Sequence, residues 1–378
     1  MISNCYKHLT IVRTAGSVLN IETYNCQELG LSKALVRKGW SVSIILAGNK
    51  KEKKEIDVDG KKINVYYVTY KSFTQALTIF DDLFLILNQI NPTHIQIHEF
   101  GMWMSYMVVR WAKSRNIPVY LIQGAYQTTC KPFFKQLEVL FNITFGKYLL
   151  RKVTGIGCKS KMAREYIAKY CDRNIWMTPV GLDIERFSVE EKIDWRKKLG
   201  FEKKHILTYV GILENRRNPL FLLQIINMLP DDFILLFAGD GPQNDEVRRQ
   251  IMEQRLENRC IMLGKLKQEQ LPSLYKATDL FLLASDYEIY GMVLLEALYY
   301  GVPVVTTRTA GSDMLIQQNK NGVILEKNSN LWVKEIIKLV NDNSNLTLMK
   351  SFASNDIVHH YIWERAVENF INLYLHKL

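Results

Sequence analysis

Two adjacent arginines, Arg216 and Arg217, have a type and position that suit chemistry on an anion. They follow the β-prone run ILTYVGIL and stand just before Pro219, which fits the first turn of a helix. The helix dipole favours an anion at the N-terminus of a helix, and two guanidinium groups there add to that attraction. We predict a phosphate site, the alternative being a pair of surface arginines.

Glu288 and Glu296 lie in the nearly apolar stretch YEIYGMVLLEALYYGVPVV, residues 287–305. Gly291 can end a loop before the helical pattern MVLLEALYY, which places Glu288 in that loop and Glu296 in the second helical turn. Eight residues correspond to about 80° around a helix axis, so both carboxylates can lean toward one cleft. Alternatively, Glu288 only complements the helix dipole and Glu296 lies on a polar stripe. The leucines around Glu296 favour burial, and a buried carboxylate needs partners.

Gly239 and Gly241 follow another β-prone run, ILLFA. Glycines at a strand-to-helix turn let a ligand approach the backbone closely, and the next helix offers free N–H groups to an anion. An ordinary tight turn is the alternative interpretation. The third glycine of a dinucleotide fingerprint is missing, which counts against NAD.

The elements that would position these residues follow an α/β pattern. Short β-prone runs alternate with helical stretches in both halves, which predicts parallel sheets with crossover helices. Asp59-Gly60 predicts a hairpin between two β-prone runs. We predict two doubly wound domains, 1–178 and 179–355, and a C-terminal helix in 356–378 that crosses back to the first domain. Ligands of such domains bind at the carboxyl ends of the strands.

The composition is that of a globular protein, with 378 residues, 48% of them hydrophobic and 23% charged. No apolar run is long enough for a membrane span, and the first residues lack the pattern of a secretory signal. The six cysteines are scattered without metal-type spacing, which indicates reduced thiols in the cytoplasm.

The net charge of +11 is unevenly distributed. Residues 1–178 contain 25 Lys or Arg against 12 Asp or Glu, so the basic excess lies in the first half. This favours an anionic partner such as a membrane surface, a phosphorylated acceptor or nucleic acid. A solvated basic surface without a partner is the alternative.

The motif YEIYGMVLLEALYYGVPVVTT resembles the E-x7-E region of family 4 glycosyltransferases, group 1 type, which are retaining enzymes. TPVGLDIERF resembles the interdomain segment of that family, with Val180 in place of the usual Asn. FAGDGPQND, IMLGKL and YKATDLFLLAS match in the same order, so the resemblance covers most of residues 175–312 and is weaker in the first half. It implies an α/β protein of the GT-B fold, in which two doubly wound Rossmann-like domains face a central cleft.

The resemblance also implies roles for single residues. Glu296 would hold the ribose hydroxyls of a nucleotide sugar, Glu288 would bind hydroxyls of the transferred sugar, and Arg216 and Arg217 would neutralise the diphosphate. Glu288, Arg216 and Arg217 form the expected catalytic set. The remaining donor-binding positions are mostly glycines and backbone groups: Gly16, Gly211, Gly239, Gly241, Gly264, Tyr290, Gly291 and Met292.

The sequence departs from the family pattern at two places. Gly211 is followed by Ile212 where members often have Arg, and Gln123 stands where many have His. His98 and Glu99 are further acceptor-side candidates beside Gln123, and each could instead be a structural hydrogen-bonding residue.

We therefore expect a metal-independent hexosyltransferase that moves a sugar from a nucleotide diphosphate sugar, UDP-sugar first, to a glycan or lipid-linked acceptor in surface polysaccharide biosynthesis. No cofactor and no nucleic-acid partner are expected. No metal is expected either, because the D-x-D of Asp57 and Asp59, which imitates the metal-binding motif of the other glycosyltransferase fold, lies at a hairpin turn. The alternatives are a non-catalytic glycan- or nucleotide-binding relative, a glycoside hydrolase using Glu288 and Glu296, and a sugar-nucleotide epimerase, against which the E-x7-E spacing argues. The expected location is the cytoplasm, with peripheral contact to the inner face of an anionic membrane through the basic first domain.

One more segment, Lys131–Lys152, has apolar residues at helical spacing between basic flanks. Such a stripe is more often core packing, and we favour that interpretation. Insertion into a membrane interface is the alternative. The stripe comprises Phe134, Leu137, Phe141, Phe145 and Tyr148.

Overall fold

The computed structural model describes residues 7–19, 21, 26–74, 76–128 and 132–375, without the side chains of 132–135. The chain divides into two compact units. The first comprises Met1–Gly181 and Trp363–Leu378, and the second comprises Leu182–Ile362. The first unit ends at Gly181, close to the domain boundary that is predicted between residues 178 and 179.

The first unit is built on a mainly parallel sheet with strand order β10-β9-β8-β7-β1-β2-β4-β3. Only β3 and β4 pair antiparallel within it, and a separate hairpin is formed by β5 and β6. Its strands are β1 (His8–Val12), β2 (Ser41–Ala47), β3 (Glu52–Val58), β4 (Lys61–Val68), β5 (Tyr70–Ser72), β6 (Thr78–Phe80), β7 (His94–His98), β8 (Val119–Gln123), β9 (Gly155–Cys158) and β10 (Trp176–Met177).

Helices cover the sheet of the first unit. They are α1 (Gln27–Arg37), α2 (Leu83–Ile90), α3 (Trp103–Lys113), α4 (Pro132–Phe141), α5 (Lys147–Lys152) and α6 (Lys161–Ala168), with a π-helical turn at Asn142–Gly146 between α4 and α5. The predicted hairpin is confirmed: Asp59 and Gly60 join β3 to β4, both with positive φ, +52° and +78°. Two positive φ values suit a two-residue turn whose twist matches the strands.

The second unit contains a fully parallel sheet with strand order β13-β12-β11-β14-β15-β16. Its strands are β11 (His205–Val210), β12 (Phe233–Ala238), β13 (Cys260–Gly264), β14 (Leu280–Leu283), β15 (Val304–Thr306) and β16 (Gly322–Ile324). Its helices are α7 (Trp195–Leu199), α8 (Pro219–Met228), α9 (Asn244–Glu253), α10 (Leu271–Ala277), α11 (Met292–Tyr299), α12 (Ala310–Leu315), α13 (Ser329–Asn341) and α14 (Asn343–His360). Strands such as FILLFA are buried along their whole length, because helices cover both faces of the sheet.

Each sheet reverses its strand order at one place. In the second unit β11 lies between β12 and β14, and in the first unit β1 lies between β2 and β7. At such switch points the loops leave neighbouring strands in opposite directions and open a crevice at the carboxyl ends. The loops after β11 and β14, and after β1 and β7, are therefore the places to search for ligand-binding side chains.

The C-terminal helix α15 (Trp363–Leu375) packs on the first unit, where the Tyr120 hydroxyl donates to the carbonyl oxygen of Tyr374 at 2.7 Å. The predicted start of this helix at 356 is too early. Residues 343–360 form one helix of the second unit, which ends at Tyr361, where the backbone leaves helical geometry. Trp363 then seats its indole against Gly30 of α1, leaving no room there for a side chain.

The prediction that the aromatic stripe of Lys131–Lys152 packs in the core is wrong for Leu137, Phe145 and Tyr148, which are exposed. Phe141 is half-buried, and the side chain of Phe134 lies outside the described residues. The segment turns a different face inward, and the π-helical turn at Asn142–Gly146 shifts the register of the residues after it, Tyr148 among them. The buried positions are Asn142, Gly146, Leu149 and Leu150.

Candidate functional site

The loops after β11 and β12 are packed against each other through their glycines. Gly211 and Gly239 have φ values of +148° and +146°, and a Cβ on Gly239 would lie 1.9 Å from the carbonyl oxygen of Gly211. A Cβ on Gly241 would lie 2.4 Å from the carbonyl oxygen of Leu213. Glycine is needed at positions 239 and 241 because neighbouring backbone fills the space. Gly264 differs, since a Cβ there, at φ +69°, would face open space.

Arg216 and Arg217 meet Glu288 at the switch point of the second sheet. The short turn Asn215–Arg217 follows β11 and is tied to the loop after β14, where the Asp286 amide donates to the carbonyl oxygen of Arg216 at 2.8 Å. Arg217 Nε lies 3.0 Å and Arg216 Nη1 lies 3.2 Å from Glu288 Oε1. The three predicted catalytic residues are therefore in direct contact.

Glu288 is buried, and among the described residues its side-chain contacts converge on one oxygen. Besides the two guanidinium groups, the Ser285 hydroxyl donates to Oε1 at 3.2 Å. Arg216 Nη1 also donates to the carbonyl oxygen of Tyr287 at 2.6 Å. The loop between β14 and α11 is thus held on the arginine turn by both its backbone and its carboxylate.

Glu214 is a member of this cluster that the sequence analysis missed. Its Oε1 lies 2.8 Å from Arg216 Nη2 and 3.5 Å from Arg217 Nε. Two guanidinium groups therefore face two carboxylates. Glu214 begins the ENRRNP segment that contains both arginines, and this proximity in sequence could have indicated its role.

Arg217 is largely buried, and its guanidinium fills the space over Gly211. Burial acts to lower the pKa of Arg217, but Glu288, Tyr209 and Glu214 outweigh it and raise that pKa. For Tyr209, burial acts in the other direction and raises the pKa to about 12, although Arg217 opposes the shift. The charge of Arg217 is consequently fixed over the whole working pH range.

Glu296 has a separate partner. It lies in the second turn of α11, is buried as the sequence predicts, and accepts a hydrogen bond from the Tyr275 hydroxyl of α10 through Oε2 at 3.0 Å. Burial raises the pKa of Glu296 to about 7, and the Tyr275 hydrogen bond acts in the opposite direction. Glu288 is thus held by two cations, whereas Glu296 is held by a neutral hydroxyl.

The loop that begins α11 is tightly packed. Tyr290 and Met292 are buried, and Gly291, with φ +72°, is the residue at which the loop turns into the helix. A Cβ on Gly311 of α12 would lie 2.1 Å from the carbonyl oxygen of Tyr290. The backbone at 290–292 is therefore held rigidly from two sides.

The acceptor-side candidates lie at the carboxyl ends of β7 and β8 in the first unit. Glu99, with φ +61°, accepts from the backbone amide of Gly124 at 3.0 Å and from that of Ala125 at 3.2 Å. Gln123 accepts from the Phe100 amide at 3.1 Å and donates to the carbonyl oxygen of Ala125 at 2.9 Å. Both side chains therefore bridge the loops that follow the two strands.

His98 belongs to a buried chain of hydrogen bonds. Gln96 Nε2 donates to His98 Nε2 at 2.8 Å, because the Gln96 oxygen already accepts from the Tyr374 hydroxyl. The ring proton is then on Nδ1, which lies 3.6 Å from Glu28 Oε1. Burial, together with Lys159, lowers the pKa of His98 to about 3, so the ring is neutral.

Glu28, at the start of α1, was not predicted, and it gathers cations from two other elements. Burial acts to raise its pKa, but Arg13, His98 and Lys159 together lower it to about 2. Lys159 is buried after β9 and donates to Gln27 Oε1 at 2.9 Å. Gly16, predicted to approach the donor, packs against its own unit, since a Cβ there would lie 2.7 Å from Thr78 Oγ1.

No group of three or more His, Cys, Asp or Glu that could hold a metal ion occurs in the part of the chain that the structure describes. Within the same ranges, no helix is both long and apolar enough to cross a bilayer. Cys26, Cys158, Cys171 and Cys260 are free thiols, while Cys5 and Cys130 lie outside the described residues.

Comparisons with known proteins agree with this architecture. Residues 191–356 match the family described as glycosyl transferases group 1. Over 368 residues the chain is 23% identical to the uncharacterized glycosyltransferase MJ1607 of Methanocaldococcus jannaschii, covering 91% of this chain and 92% of that protein. It is 28% identical over 280 residues to the UDP-Gal:alpha-D-GlcNAc-diphosphoundecaprenol alpha-1,3-galactosyltransferase of Escherichia coli, covering 70% of each.

The likeness to solved structures extends over both units. Anabaena Alr3699/HepE in complex with UDP and glucose is similar with a TM-score of 0.73 at 16% identity, covering 98% of this chain and 100% of that one. The family match overlaps the region of the sequence resemblance, 175–312, and the full-length relative extends it to the first unit. The chain is therefore similar to the group 1 glycosyl transferases over residues 191–356 and has the GT-B fold.

Proposed function

We propose that this glycosyltransferase is a retaining, metal-independent hexosyltransferase that moves a sugar from a UDP-sugar to a glycan or lipid-linked acceptor in surface polysaccharide biosynthesis. The observation that carries the proposal is the cluster of Arg216, Arg217 and Glu288 at the switch point of the second sheet. UDP as carrier is supported by the name of the Escherichia coli relative and by the UDP in the Anabaena structure.

The arginines supply the main catalytic effect in this proposal. Breaking the anomeric bond to a diphosphate produces an oxocarbenium-like sugar and a leaving group with at least two negative charges. Fixed positive charge directed at that leaving group stabilises the transition state more than the ground state. Arg217 is largely buried and held by Glu288, so it needs little reorganisation, whereas the half-exposed Arg216 can turn toward the phosphates.

The two glutamates bind the donor at different points. Glu288 uses Oε1 for the arginines and Ser285, which leaves Oε2 to accept from hydroxyls of the transferred sugar. Glu296 uses Oε2 for Tyr275, which leaves Oε1 for the ribose hydroxyls. Backbone groups of residues 290–292 hold the sugar, and the base lies near Gly239 and Gly264, with Gly211 and Gly241 shaping the loops beneath it.

Retention follows from attack on the face that the leaving group occupied. The acceptor hydroxyl transfers its proton to a departing phosphate oxygen, so no enzymic nucleophile is needed. The acceptor is bound mainly by the first unit, where Gln123, Glu99 and His98 lie at the carboxyl ends of β7 and β8. The chain contacts an anionic membrane peripherally through this basic unit. The hydrolase alternative loses support because Glu288 is engaged with two cations.

The test is release of UDP from a panel of UDP-sugars, with and without glycan and lipid-linked acceptors, in the presence of EDTA. We expect acceptor-dependent release that EDTA leaves unchanged, and a product with the anomeric configuration of the donor. Nucleotide binding without turnover across the panel would support a non-catalytic relative. Loss of activity in EDTA that added divalent metal restores would contradict metal independence.

A further inference from the structure

Five large apolar side chains are exposed on the helical segment from α4 to α5. We call them the 137–148 patch: Leu137 (58% exposed), Leu140 (58%), Ile143 (47%), Phe145 (40%) and Tyr148 (39%). Single exposed hydrophobic residues are ordinary, but five within about three helical turns concentrate apolar surface on one segment, and large exposed apolar patches mark interaction sites.

The opposite face of the same segment is also apolar. Leu149 and Leu150 are fully buried in the core of the first unit, and Gly146 packs against the Phe100 ring. A surface helix normally turns polar residues outward once its apolar face is satisfied. Here the inner face already anchors the segment, so stability of the fold does not account for the outer apolar residues.

Two aromatic rings of α3, Trp103 and Tyr106, pack against the aromatic residues of the patch. Phe145 lies 5.6 Å from Trp103 and 5.0 Å from Tyr106 between ring centroids, and Tyr148 lies 5.5 Å from Tyr106. All four rings are half-buried or exposed. Tryptophan and tyrosine combine an apolar body with a polar tip, which is why they are enriched where a membrane meets water.

A second exposed apolar group adjoins α3. Phe73 (68% exposed), Leu77 (40%) and Ile79 (43%) lie on the β5–β6 hairpin. The Trp103 amide donates to the carbonyl oxygen of Ala76 in this hairpin at 2.9 Å. The hairpin therefore adds apolar surface beside the aromatic rings that support the patch.

The charges around the patch select the kind of partner. Residues 101–152 contain eight Lys or Arg and a single acid, Glu138. Lys152 Nζ lies 5.9 Å from the Tyr148 ring, and the Arg110 guanidinium lies 5.8 Å from the Tyr106 ring. Protein interfaces are depleted in lysine, whereas apolar residues flanked by Lys and Arg match a bilayer with anionic headgroups.

We propose that the 137–148 patch inserts into the headgroup region of an anionic membrane while the surrounding Lys and Arg contact lipid phosphates. This deepens the proposed function, on which it rests for the lipid-linked acceptor, because it names the surface that brings the first unit to that acceptor. The hydroxyl of such an acceptor lies just outside the headgroups, so a shallowly inserted patch keeps the unit within reach of it.

The test is co-sedimentation of the full-length protein with vesicles of phosphatidylcholine containing three-tenths phosphatidylglycerol, without any sugar nucleotide. We expect the wild type to bind these vesicles, to bind pure phosphatidylcholine vesicles much less, and to be partly released by salt. Leu137→Gln/Leu140→Gln should weaken the partition coefficient at least about tenfold, since two side chains leave the apolar phase. Lys147→Glu/Lys152→Glu should weaken it similarly and remove most of the salt dependence.

The matched control is Leu331→Gln/Leu348→Gln in the second unit, which changes two side chains that are 46% and 69% exposed. It should bind vesicles as the wild type does. Equal binding by the test and control pairs would overturn the proposal, and so would a wild type that binds no anionic vesicles, the result expected if the patch serves a protein partner. Transfer to a water-soluble acceptor should be unchanged in Leu137→Gln/Leu140→Gln, which separates failure of this inference from failure of the proposed function.

Discussion

The guanidinium of Arg217 lies over Gly211, with Nη1 2.2 Å from the position that a Cβ on residue 211 would occupy. Gly211, directly after β11, and Arg217, the last residue of the following turn, therefore occupy complementary positions. In this chain Gly211 is followed by Ile212, so the cation over the strand end comes from Arg217, six residues beyond the glycine. Any side chain at position 211 must displace that cation.

Gly211→Ala should accordingly reduce kcat by roughly tenfold or more, because it moves the cation that we propose to stabilise the leaving group. Gly200→Ala is the matched control, since Gly200 has φ +72° and no atom within 4 Å of its Cβ position. Gly200→Ala should lose about 1 kcal/mol of unfolding free energy through the positive φ. Gly211→Ala should lose more, because it also displaces Arg217 from the buried Glu288. The measurements are steady-state UDP release and chemical denaturation, and equal kcat values for the two variants would contradict the role of Arg217.

Arg217→Ala should destabilise the protein by about 3 kcal/mol, because it leaves the buried Glu288 carboxylate without its nearer partner. Arg216→Ala should cost about 1 kcal/mol or less, since that side chain is half-exposed. Both should reduce transfer strongly. Arg249→Ala provides the control, because its ion pairs with Glu246 and Glu253 lie on the surface of the same unit.

The double variant Arg217→Ala/Glu288→Gln separates stability from catalysis. Removing the charge of Glu288 should recover much of the stability lost in Arg217→Ala, because a neutral amide is less costly to bury unpaired. Transfer should stay low if Arg217 has the proposed role, since the leaving group would still lack that cation. Recovery of both stability and transfer would mean that Arg217 acts only as a structural partner of Glu288.

The strand-end loops could be predicted from the sequence, but the pairing across them could not. The β-prone runs and the glycines after them locate the loops that hold Arg217 and Glu288 correctly. That β11 lies beside β14 is not visible from chain order, because the strands are separated by two others in sequence. The sequence analysis therefore assigns Arg217 to the diphosphate and Glu288 to the sugar, whereas in the structure the two residues also form an ion pair.

The contacts of two other buried glutamates, Glu296 and Glu28, could not be predicted from the sequence either. Leucines around Glu296 predict its burial correctly, since local pattern decides which face of a helix is covered. Its partner Tyr275 comes from another helix and left no local signal. The network around Glu28 collects Arg13, His98 and Lys159 from the ends of three strands, and only the tertiary fold brings these together.

Donor binding should depend on pH through Glu296, whose pKa burial raises to about 7. A carboxylate accepts from ribose hydroxyls better than the protonated acid does, so affinity for UDP should increase as the pH rises from 6 to 8. Glu296→Gln should bind UDP weakly and lose this pH dependence. Isothermal titration calorimetry at several pH values measures both, and an unchanged pH profile in the variant would assign the titration to another group.

The same shift has a consequence for stability. Because the folded-state pKa of Glu296 lies above its unfolded value of 4.5, the folded protein loses stability as the pH rises from that value through about 7. The full shift corresponds to about 3 kcal/mol above pH 7. Glu296→Gln should therefore be more stable than the wild type at pH 8 and nearly equal to it at pH 4, as chemical denaturation at the two pH values will measure.

Glu28 should show the opposite dependence. Arg13, His98 and Lys159 outweigh burial and lower its pKa from 4.5 to about 2, so its carboxylate stabilises the fold above pH 4.5 and loses that contribution as the pH falls through about 2. Glu28→Gln should cost about 3 kcal/mol at pH 7 and progressively less below pH 4. Glu165→Gln, which changes an exposed acid of the same unit, should cost little at either pH. A cost for Glu28→Gln that does not change between pH 7 and pH 3 would mean that shape and hydrogen bonding, not charge, hold α1 against the ends of β1, β7 and β9.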